Sequence, residues 1–370
     1  MSTGMLTKPT LCAKILVALS LLYIKDEKMK ISLLIFNVAI LFIMMVPGFI
    51  MKKCRLCSDG FGKGISNLVL YIAQPALIVY AYISCTKSFS EIWLNAIAVL
   101  VLSIVFHVIF TVVTMLLFGK AEDSKRRMLR FATIFSNAAF MGIPLVQAIL
   151  GAEAAIYASV YNITYNLFLW TLGVYLCTRE SGKDMDGDGD CDLADEYAAL
   201  VHHSKKEVSL LKVLLHPVTL ASVIGLILLA TGVNASVLEG AGLSIITESL
   251  FMLKELVAPL AMVVVGLRLA DVDFRGMYKD LHMYLFLALR HIALPLVCLG
   301  FIRLIELMGV SINEEVTLVL MLMASAPAAT SAAMFAEKYN CDAVYVSRLI
   351  VVSTILCIAT MPAIFFLVNL

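Results

Sequence analysis

Charged residues are scarce in this chain. Asp, Glu, Lys and Arg make up 15% of its 370 residues, whereas hydrophobic residues make up 61%. A water-soluble protein could not cover its surface with so few charges. The nine cysteines are scattered, mostly within apolar segments, which argues against a disulfide framework. The net charge of +1 comes without a basic domain, so no nucleic-acid partner is expected.

Several catalytic motifs are also missing. The chain has no glycine-rich nucleotide loop, no nucleophile elbow and no HExxH helix. ATP-driven transport and intramembrane proteolysis are therefore unsupported, and we expect neither an enzyme nor a cofactor. Cys54 and Cys57, in "CRLC", lack a second ligand pair, which disfavours a zinc site.

What the sequence does contain is a series of apolar stretches of about 20 residues, the length that crosses a bilayer. It predicts an all-α polytopic membrane protein with ten transmembrane helices. The predicted spans are 31–51, 65–84, 92–118, 131–150, 154–177, 213–231, 243–267, 281–302, 316–336 and 343–368. An earlier apolar run at 11–24 is short for a span. Residues 1–30 are an N-terminal extension that is either interfacial or upstream of the mature start.

Basic residues lie mainly on one side of the predicted membrane. The loops after the odd-numbered spans are rich in lysine and arginine, as in "KAEDSKRRMLR" at 120–130, whereas the opposite loops hold few, such as Lys87. Cytoplasmic loops carry this excess. We therefore predict a multi-pass cell-membrane protein with both ends of the ten-span core outside and the loop 179–212 in the cytosol. Lys25, Lys28 and Lys30 count against this orientation.

The longest loop divides the chain into two sets of five spans: a first repeat at 31–178, an acidic linker at 179–212 and a second repeat at 213–370. Because five is odd, the second set enters the membrane from the opposite side, as in the inverted repeats of many secondary transporters. The short motifs "AQPAL" in span 2 and "VAPLA" in span 7 recur in the same order.

Spans 4 and 9 each contain a polar segment with a proline. Span 4 has "SNAAFMGIP", with Asn137 and Pro144, and span 9 has "ASAPAATSAA". The polar or helix-breaking residues of span 9 are Ser325, Pro327, Thr330 and Ser331. Proline leaves a carbonyl unpaired, which lipid does not tolerate, so such breaks face protein or a cavity. We predict that the broken helices meet near the midplane and bind an anion at their half-helix N-termini. The alternative is a proline kink that only shapes packing.

Three amides extend this candidate site. Asn162 and Asn166, in "YNITYNLFLW", share one face of span 5, and Gln74 precedes Pro75 in span 2. Asn162 is assigned to the cavity and Asn166 to helix packing. Gln74 fits either role.

Four ionisable residues lie deep in predicted spans: Arg290 and His291 in span 8, and Lys254 and Glu255 in span 7. A charge at this depth normally faces an interior or a partner. They are candidates for proton or charge coupling, with Arg290 holding a carboxylate. The alternative is a structural Lys254–Glu255 or Arg290–Glu255 pair. His107, alone in span 3, is assigned to the core.

The acidic loop "DMDGDGDCDLAD" has the spacing of a calcium-binding loop. Asp184, Asp186, Asp188 and Asp190 fall at ligand positions, but Asp195 replaces the usual final glutamate. A disordered acidic linker is the favoured interpretation, and a calcium site is the alternative.

Several segments together resemble the auxin efflux carrier family, in its prokaryotic branch. They are "FSNAAFMGIPLVQAILGAEAA", "NLFLWTLGVYL", "HPVTLASVIGLIL", "APLAMVVVGLRLA" and "RHIALPLVCL", in family order, and the resemblance covers nearly all of 31–370. It implies a fold similar to bile-acid/sodium symporters: two inverted five-helix repeats, with spans 4 and 9 crossing at their broken centres. It also implies a scaffold unit and a transport unit. By motif match, Asn137, Pro144 and Pro327 fall on the crossover.

The resulting hypothesis is a secondary active transporter, or permease, that exports or exchanges small organic anions by elevator-like alternating access. The alternative is a membrane receptor or sensor that binds a small organic acid without moving it. The expected partners are the organic acid and the lipid bilayer. Whether a proton or sodium ion is coupled, and whether the protein is a homodimer, stays open.

Overall fold

The computed structural model describes residues 34–58, 60–119, 121–178, 215–272, 279–339 and 341–368, together with residues 32 and 275. Over this part of the chain the structure is helical, apart from turns, loops and one isolated β-bridge. The predicted all-α class is therefore confirmed for the described residues. The N-terminal extension 1–30, the linker 179–212 and the aspartates of the predicted calcium loop lie outside them.

The helices follow the order of the predicted spans, and spans 4 and 9 each consist of two helices. Their bounds are α1 Leu34–Lys53, α2 Phe61–Ile83, α3 Phe89–Leu117, α4 Asp123–Ile134, α5 Ala138–Leu150, α6 152–178, α7 Pro217–Ala230, α8 Ala235–Gly240, α9 Ser244–Asp271, α10 Leu281–Leu307, α11 Glu314–Ser325, α12 Ser331–Lys338 and α13 Ala343–Val368.

Polar side chains mark where several helices begin. At α3, the backbone N–H of Ser88 donates to the Glu91 carboxylate over 2.7 Å, as part of a capping box. Asp280 and Asn313 cap α10 and α11 by accepting backbone N–H groups over 3.0 and 2.8 Å. Such caps satisfy donors that the first turn of a helix leaves unpaired.

Six of the described helices are long and apolar enough to cross a membrane: α1, α2, α3, α9, α10 and α13. Two shorter apolar helices are α5 and α7. A helix of 12 residues is about 18 Å long, less than the hydrocarbon core. The halves of spans 4 and 9 are therefore too short to cross alone.

Three π-helical turns end two residues before a proline. They are Val69–Ala73, Ala138–Gly142 and Leu289–Ala293, and they precede Pro75, Pro144 and Pro295. A proline cannot donate to the carbonyl four residues back, and the wider turn absorbs that loss without ending the helix. These prolines therefore lie within helices.

The position of the first break differs from the prediction. The sequence attributed it to Pro144, but Pro144 lies in the first turn of the α-helical segment Ile143–Leu150. The chain leaves helical geometry at Phe135–Asn137, where the backbone of Phe135 is extended. These residues bond to another segment instead of to their own helix. The second break, at 326–330, does contain Pro327.

One group of helices comprises α1, α2, α7 and α9. Helix α2 packs along α7 and the first half of α9, while α1 crosses the second half of α9. A Cβ at Gly48 would lie 2.1 Å from the Val263 carbonyl oxygen, and one at Gly266 would lie 1.9 Å from that of Met45. The two backbones are therefore in direct contact, as small residues allow in membrane helices.

The short helix α8 packs on α9, and the remaining helices pack around α6 and α13. Helices α3 and α5 contact α6, and α11 and α12 contact α13. Lys87, in the turn between α2 and α3, forms ion pairs with Glu153 at 2.9 Å and Glu315 at 3.1 Å. The hydrogen bond to Glu153 raises the pKa of the Lys87 amine. This bridge joins the turn to the ends of α6 and α11 on one face of the molecule.

Candidate functional site

The two breaks cross and bond to each other. The backbone N–H of Asn137 donates to the Pro327 carbonyl over 2.7 Å, and that of Ala329 donates to the Phe135 carbonyl over 2.9 Å. Ser136 and Ala328 thus form an antiparallel β-bridge. The crossing satisfies backbone groups that would otherwise be unpaired in lipid. Four helix ends meet here: the C-terminal ends of α4 and α11, and the N-terminal ends of α5 and α12.

Arg290 lies at the C-terminal ends and is fully buried. Its Nε and Nη2 atoms donate to the Ala326 carbonyl over 3.0 and 2.7 Å. Nη2 also donates to Ala324 over 2.9 Å, and Nη1 donates to Thr133 over 3.0 Å. The guanidinium therefore bonds backbone carbonyls from both half-helices. The alternative pair with Glu255 is wrong, because the buried guanidinium donates to these carbonyls, while the Glu255 side chain is largely exposed and contacts Lys254.

A cavity of about 70 Å³ lies at the N-terminal ends of α5 and α12. Its walls come from α2, α6, the start of α7 and both breaks. Among the described residues, several buried polar atoms that line it have no hydrogen-bond partner: Gln74 Oε1, Asn137 Nδ2, Asn162 Oδ1, Asn166 Nδ2, Trp170 Nε1, His216 Nδ1 and Thr330 Oγ1. Buried polar groups normally find partners, so these groups are available to hydrogen-bond a polar ligand or water in the cavity.

The structure brings together most of the residues assigned to the substrate site. Gln74, Asn137, Asn162, Thr330 and Ser331 all line the cavity.

The remaining assigned residues do not line it. Pro144 lies within α5, and Pro327 serves the crossing through its carbonyl. The Ser325 hydroxyl donates to the Met321 carbonyl over 2.7 Å, within its own helix. Of the three, only Pro327 takes part in a break, whereas Pro144 and Ser325 lie within their own helices.

Sequence reasoning missed Trp170 and His216 and assigned Asn166 to packing, although all three line the cavity. Trp170 follows Asn162 and Asn166 at intervals of four, so the shared face of α6 could have revealed it. His216 precedes Pro217 at the start of α7, and only the packing of α7 against α2 and α6 brings it here. No local signal in the sequence indicates that position.

A larger vestibule of about 560 Å³ lies next to the cavity. Trp170, Met334 and Phe335 line both spaces, and the Trp170 and Phe335 rings are 5.4 Å apart. The charged residues of the vestibule include four basic and two acidic side chains: Lys52, Lys63, Arg268, Lys338, Asp271 and Glu337. Two ion pairs form among them, Lys52–Asp271 at 3.5 Å and Arg268–Glu337 at 4.0 Å. The vestibule thus carries a positive balance.

His291 joins the crossover to α13 through hydroxyl groups. Its Nε2 lies 2.9 Å from Ser353 Oγ, and its Nδ1 lies 3.0 Å from Thr360 Oγ1. Ser353 Oγ also accepts the Ala328 backbone N–H over 2.9 Å. The Thr360 hydroxyl donates to the Leu356 carbonyl, so Nδ1 donates to Thr360 and Nε2 accepts from Ser353. This chain connects a partly exposed threonine to the crossing.

Lys254 and Glu255 lie just before Leu256, the one residue at which α9 is interrupted, between the segments Ser244–Glu255 and Val257–Asp271. They contact each other, which is the structural alternative that the sequence left open. The Lys254 ammonium lies 4.5 Å from the Phe251 ring centre, and 59% of the Glu255 side chain is exposed.

His107 is fully buried, as its assignment to the core requires. Its ring lies among aromatic side chains, and Nδ1 donates to the Ser103 carbonyl over 2.7 Å. The part of the chain that the structure describes holds no group of metal-binding side chains.

Comparison with known proteins identifies the family of this chain. A family model described as "Membrane transport protein" matches residues 33–365. An uncharacterized transporter of Methanocaldococcus jannaschii is 23% identical over 322 residues, which is 86% of this chain and 93% of that protein. The match covers the crossover, the cavity and the vestibule. The chain therefore belongs to the membrane transport protein family, the auxin efflux carrier family that its motifs resemble.

Proposed function

We propose that this transporter is a secondary carrier that exports or exchanges small organic anions, and that the cavity beside the crossover binds them. The observation that carries the proposal is the cluster of buried, unpartnered polar atoms around that cavity. Asn137 and Asn166 offer amide donors, Trp170 an indole N–H and Thr330 a hydroxyl. A carboxylate accepts such donors at both oxygens.

Helix geometry supports an anion over a cation at this position. The cavity lies at the N-terminal ends of α5 and α12, where free N–H groups and the helix dipole favour negative charge. The donors around it are mostly neutral. A neutral site binds an anion less tightly than a buried ion pair does, which suits a carrier that must release its substrate.

The route to this site leads from the vestibule. A cavity of about 70 Å³ is smaller than the roughly 300–1,000 Å³ of ordinary ligand pockets, so a substrate enters only if a wall moves. Trp170, Met334 and Phe335 form the wall that both spaces share. The vestibule is large enough for a small organic acid, and its positive balance attracts anions.

We further propose an elevator-like movement between the two groups of helices. The cavity lies between them, since Leu70, Gln74, His216 and Val218 come from the first group and the other lining residues from the second. In this proposal the five-helix segments 31–178 and 213–370 are inverted repeats. Each contributes one broken helix to the moving group.

His291 is the proposed site of proton coupling, because its hydrogen-bond chain reaches the crossover. A proton gained at His291 turns Nε2 from an acceptor of the Ser353 hydroxyl into a donor to it, and Ser353 Oγ also accepts the Ala328 backbone N–H. Arg290 influences coupling through its fixed charge. Lys254 and Glu255 lie at the interruption of α9, so their coupling role has less structural support.

The test is counterflow of labelled dicarboxylates and aromatic acids in proteoliposomes. Asn137→Ala removes a donor to a charged ligand, which costs about 1.5–3 kcal/mol and lowers apparent affinity about tenfold or more. The matched control is Asn95→Ala, whose amide donates to the Tyr157 hydroxyl away from the cavity. That variant should transport at the native rate.

Normal transport by Asn137→Ala across the panel would refute the site. Anion binding without counterflow in any variant would instead favour the receptor hypothesis.

A further inference from the structure

The crossover has two chemically opposite sides. Polar side chains that line the cavity lie at the N-terminal ends of α5 and α12, while carbonyl groups converge at the C-terminal ends of α4 and α11. The C-terminal end of a helix carries partial negative charge. Three of these carbonyls, from Thr133, Ala324 and Ala326, point at one guanidinium, that of Arg290.

In carriers built from broken helices, half-helix C-terminal ends and unwound carbonyls are where a coupling sodium ion or proton is held. Here a side chain already occupies that environment. Four of the five guanidinium donor positions are used by carbonyl oxygens, at 2.7–3.0 Å. The geometry is that of a cation bound by backbone oxygens, with the cation covalently attached to α10.

We propose that Arg290 is a built-in counter-cation that takes the place of a coupling sodium ion at the crossover. Its carbonyl partners belong to both half-helices, so it fixes their crossing without sodium. Its positive charge also lies across the crossing from the proposed anion site. That second consequence rests on the proposed function, whereas the first concerns the fold alone.

The first readout is thermal stability of the purified full chain, measured without substrate. The native melting temperature should be the same in sodium, potassium, lithium and N-methylglucamine salts. Arg290→Ala leaves buried carbonyls unpaired, and we expect its melting temperature to fall by on the order of 5 °C or more. Millimolar methylguanidinium should restore part of that loss in Arg290→Ala and leave the native protein unchanged.

The matched control is Arg303→Ala on the same helix. Its guanidinium bonds Glu306 and the Val368 carbonyl near the surface, and 49% of the side chain is exposed. Methylguanidinium should not affect that variant. Arg290→Lys keeps the charge but lacks the fork of donors, so it should lie between the native protein and Arg290→Ala.

The second readout is anion counterflow by the native chain in sodium and in N-methylglucamine. Equal rates in the two salts support the proposal. A native melting temperature or transport rate that needs sodium would overturn it, and so would a stable Arg290→Ala protein that no small cation affects. If Arg290→Ala does not fold, the effect of sodium on the native melting temperature and transport rate still tests the proposal. If no anion moves in any salt, the proposed function fails, but the methylguanidinium effect on stability still tests Arg290.

Discussion

At the scale of single residues, Trp170 is one of three side chains that line both the cavity and the vestibule, and it has the indole N–H among them. We predict that Trp170→Phe lowers apparent anion affinity about tenfold, because it removes one N–H donor and keeps an aromatic wall. The chain has one other tryptophan, Trp93, which is 46% exposed on α3. Trp93→Phe is the control and should transport normally.

The same pair allows a direct binding measurement. In Trp93→Phe, Trp170 is the sole indole, so an anion that enters the cavity should change tryptophan emission in a saturable way. Emission that never responds to an anion that the carrier transports would place the site elsewhere.

Polar residues within apolar spans were the signal by which the sequence predicted Gln74, Asn137 and Asn162. An indole among aliphatic residues gives no such contrast, so Trp170 was missed. His216 was missed because its position beside the cavity depends on packing between helices that are distant in the sequence.

At the scale of helices, α1 and α9 cross with their backbones in direct contact. We predict that Gly266→Ala destabilises the protein by about 1–3 kcal/mol or more, because the new Cβ would lie 1.9 Å from a carbonyl oxygen. The backbones must separate, and the small-residue contact that holds these helices is lost. The measurement is the melting temperature in a mild detergent.

Gly64→Ala is the matched control, since a Cβ at Gly64 would meet nothing within 4 Å. It should be neutral or stabilise α2 by up to about 1 kcal/mol, from helix propensity alone. An unchanged melting temperature for Gly266→Ala would show that α1 does not cross α9 at this point.

The sequence located both broken spans correctly but placed the first break at Pro144. Proline is a local signal, and its local effect is the π turn that precedes it. The break at Phe135–Asn137 depends instead on hydrogen bonds to Pro327 and Ala329, nearly 200 residues away. Partners at that distance along the chain cannot be inferred from local patterns.

At the scale of the whole molecule, ends of several helices gather in two separate places, and the sequence predicts that the loops alternate between two faces. The ends of α1, α9 and α12 and the start of α2 surround the vestibule, while Lys87, Glu153 and Glu315 meet on another face. The count of five spans in each half predicts this alternation from the sequence. The count does not reveal that these helix ends surround one vestibule, because their positions depend on how the helices pack against each other.

Cys57 lines the vestibule and is partly exposed, so its reaction with a thiol reagent shows on which side of the membrane the vestibule opens. The excess of basic residues in these loops predicts that the vestibule opens to the cytosol. A membrane-impermeant maleimide should therefore modify Cys57 in inside-out vesicles and not in right-side-out vesicles. Trypsin releases Cys57 in the peptide 56–63, which contains no other cysteine, so mass spectrometry reads its modification directly.

Ser90→Cys supplies the opposite reporter, since Ser90 is exposed beside Lys87 at the start of α3. Its labelling should occur in right-side-out vesicles. A transported anion at saturating concentration should slow modification of Cys57 and leave residue 90 unaffected, because an anion in the vestibule covers only the first thiol. Modification of Cys57 in right-side-out vesicles would contradict the predicted orientation and show that the vestibule opens to the outside. An anion that slowed both positions equally would act on the reagent or the membrane, and the vestibule would then lose its place on the transport route.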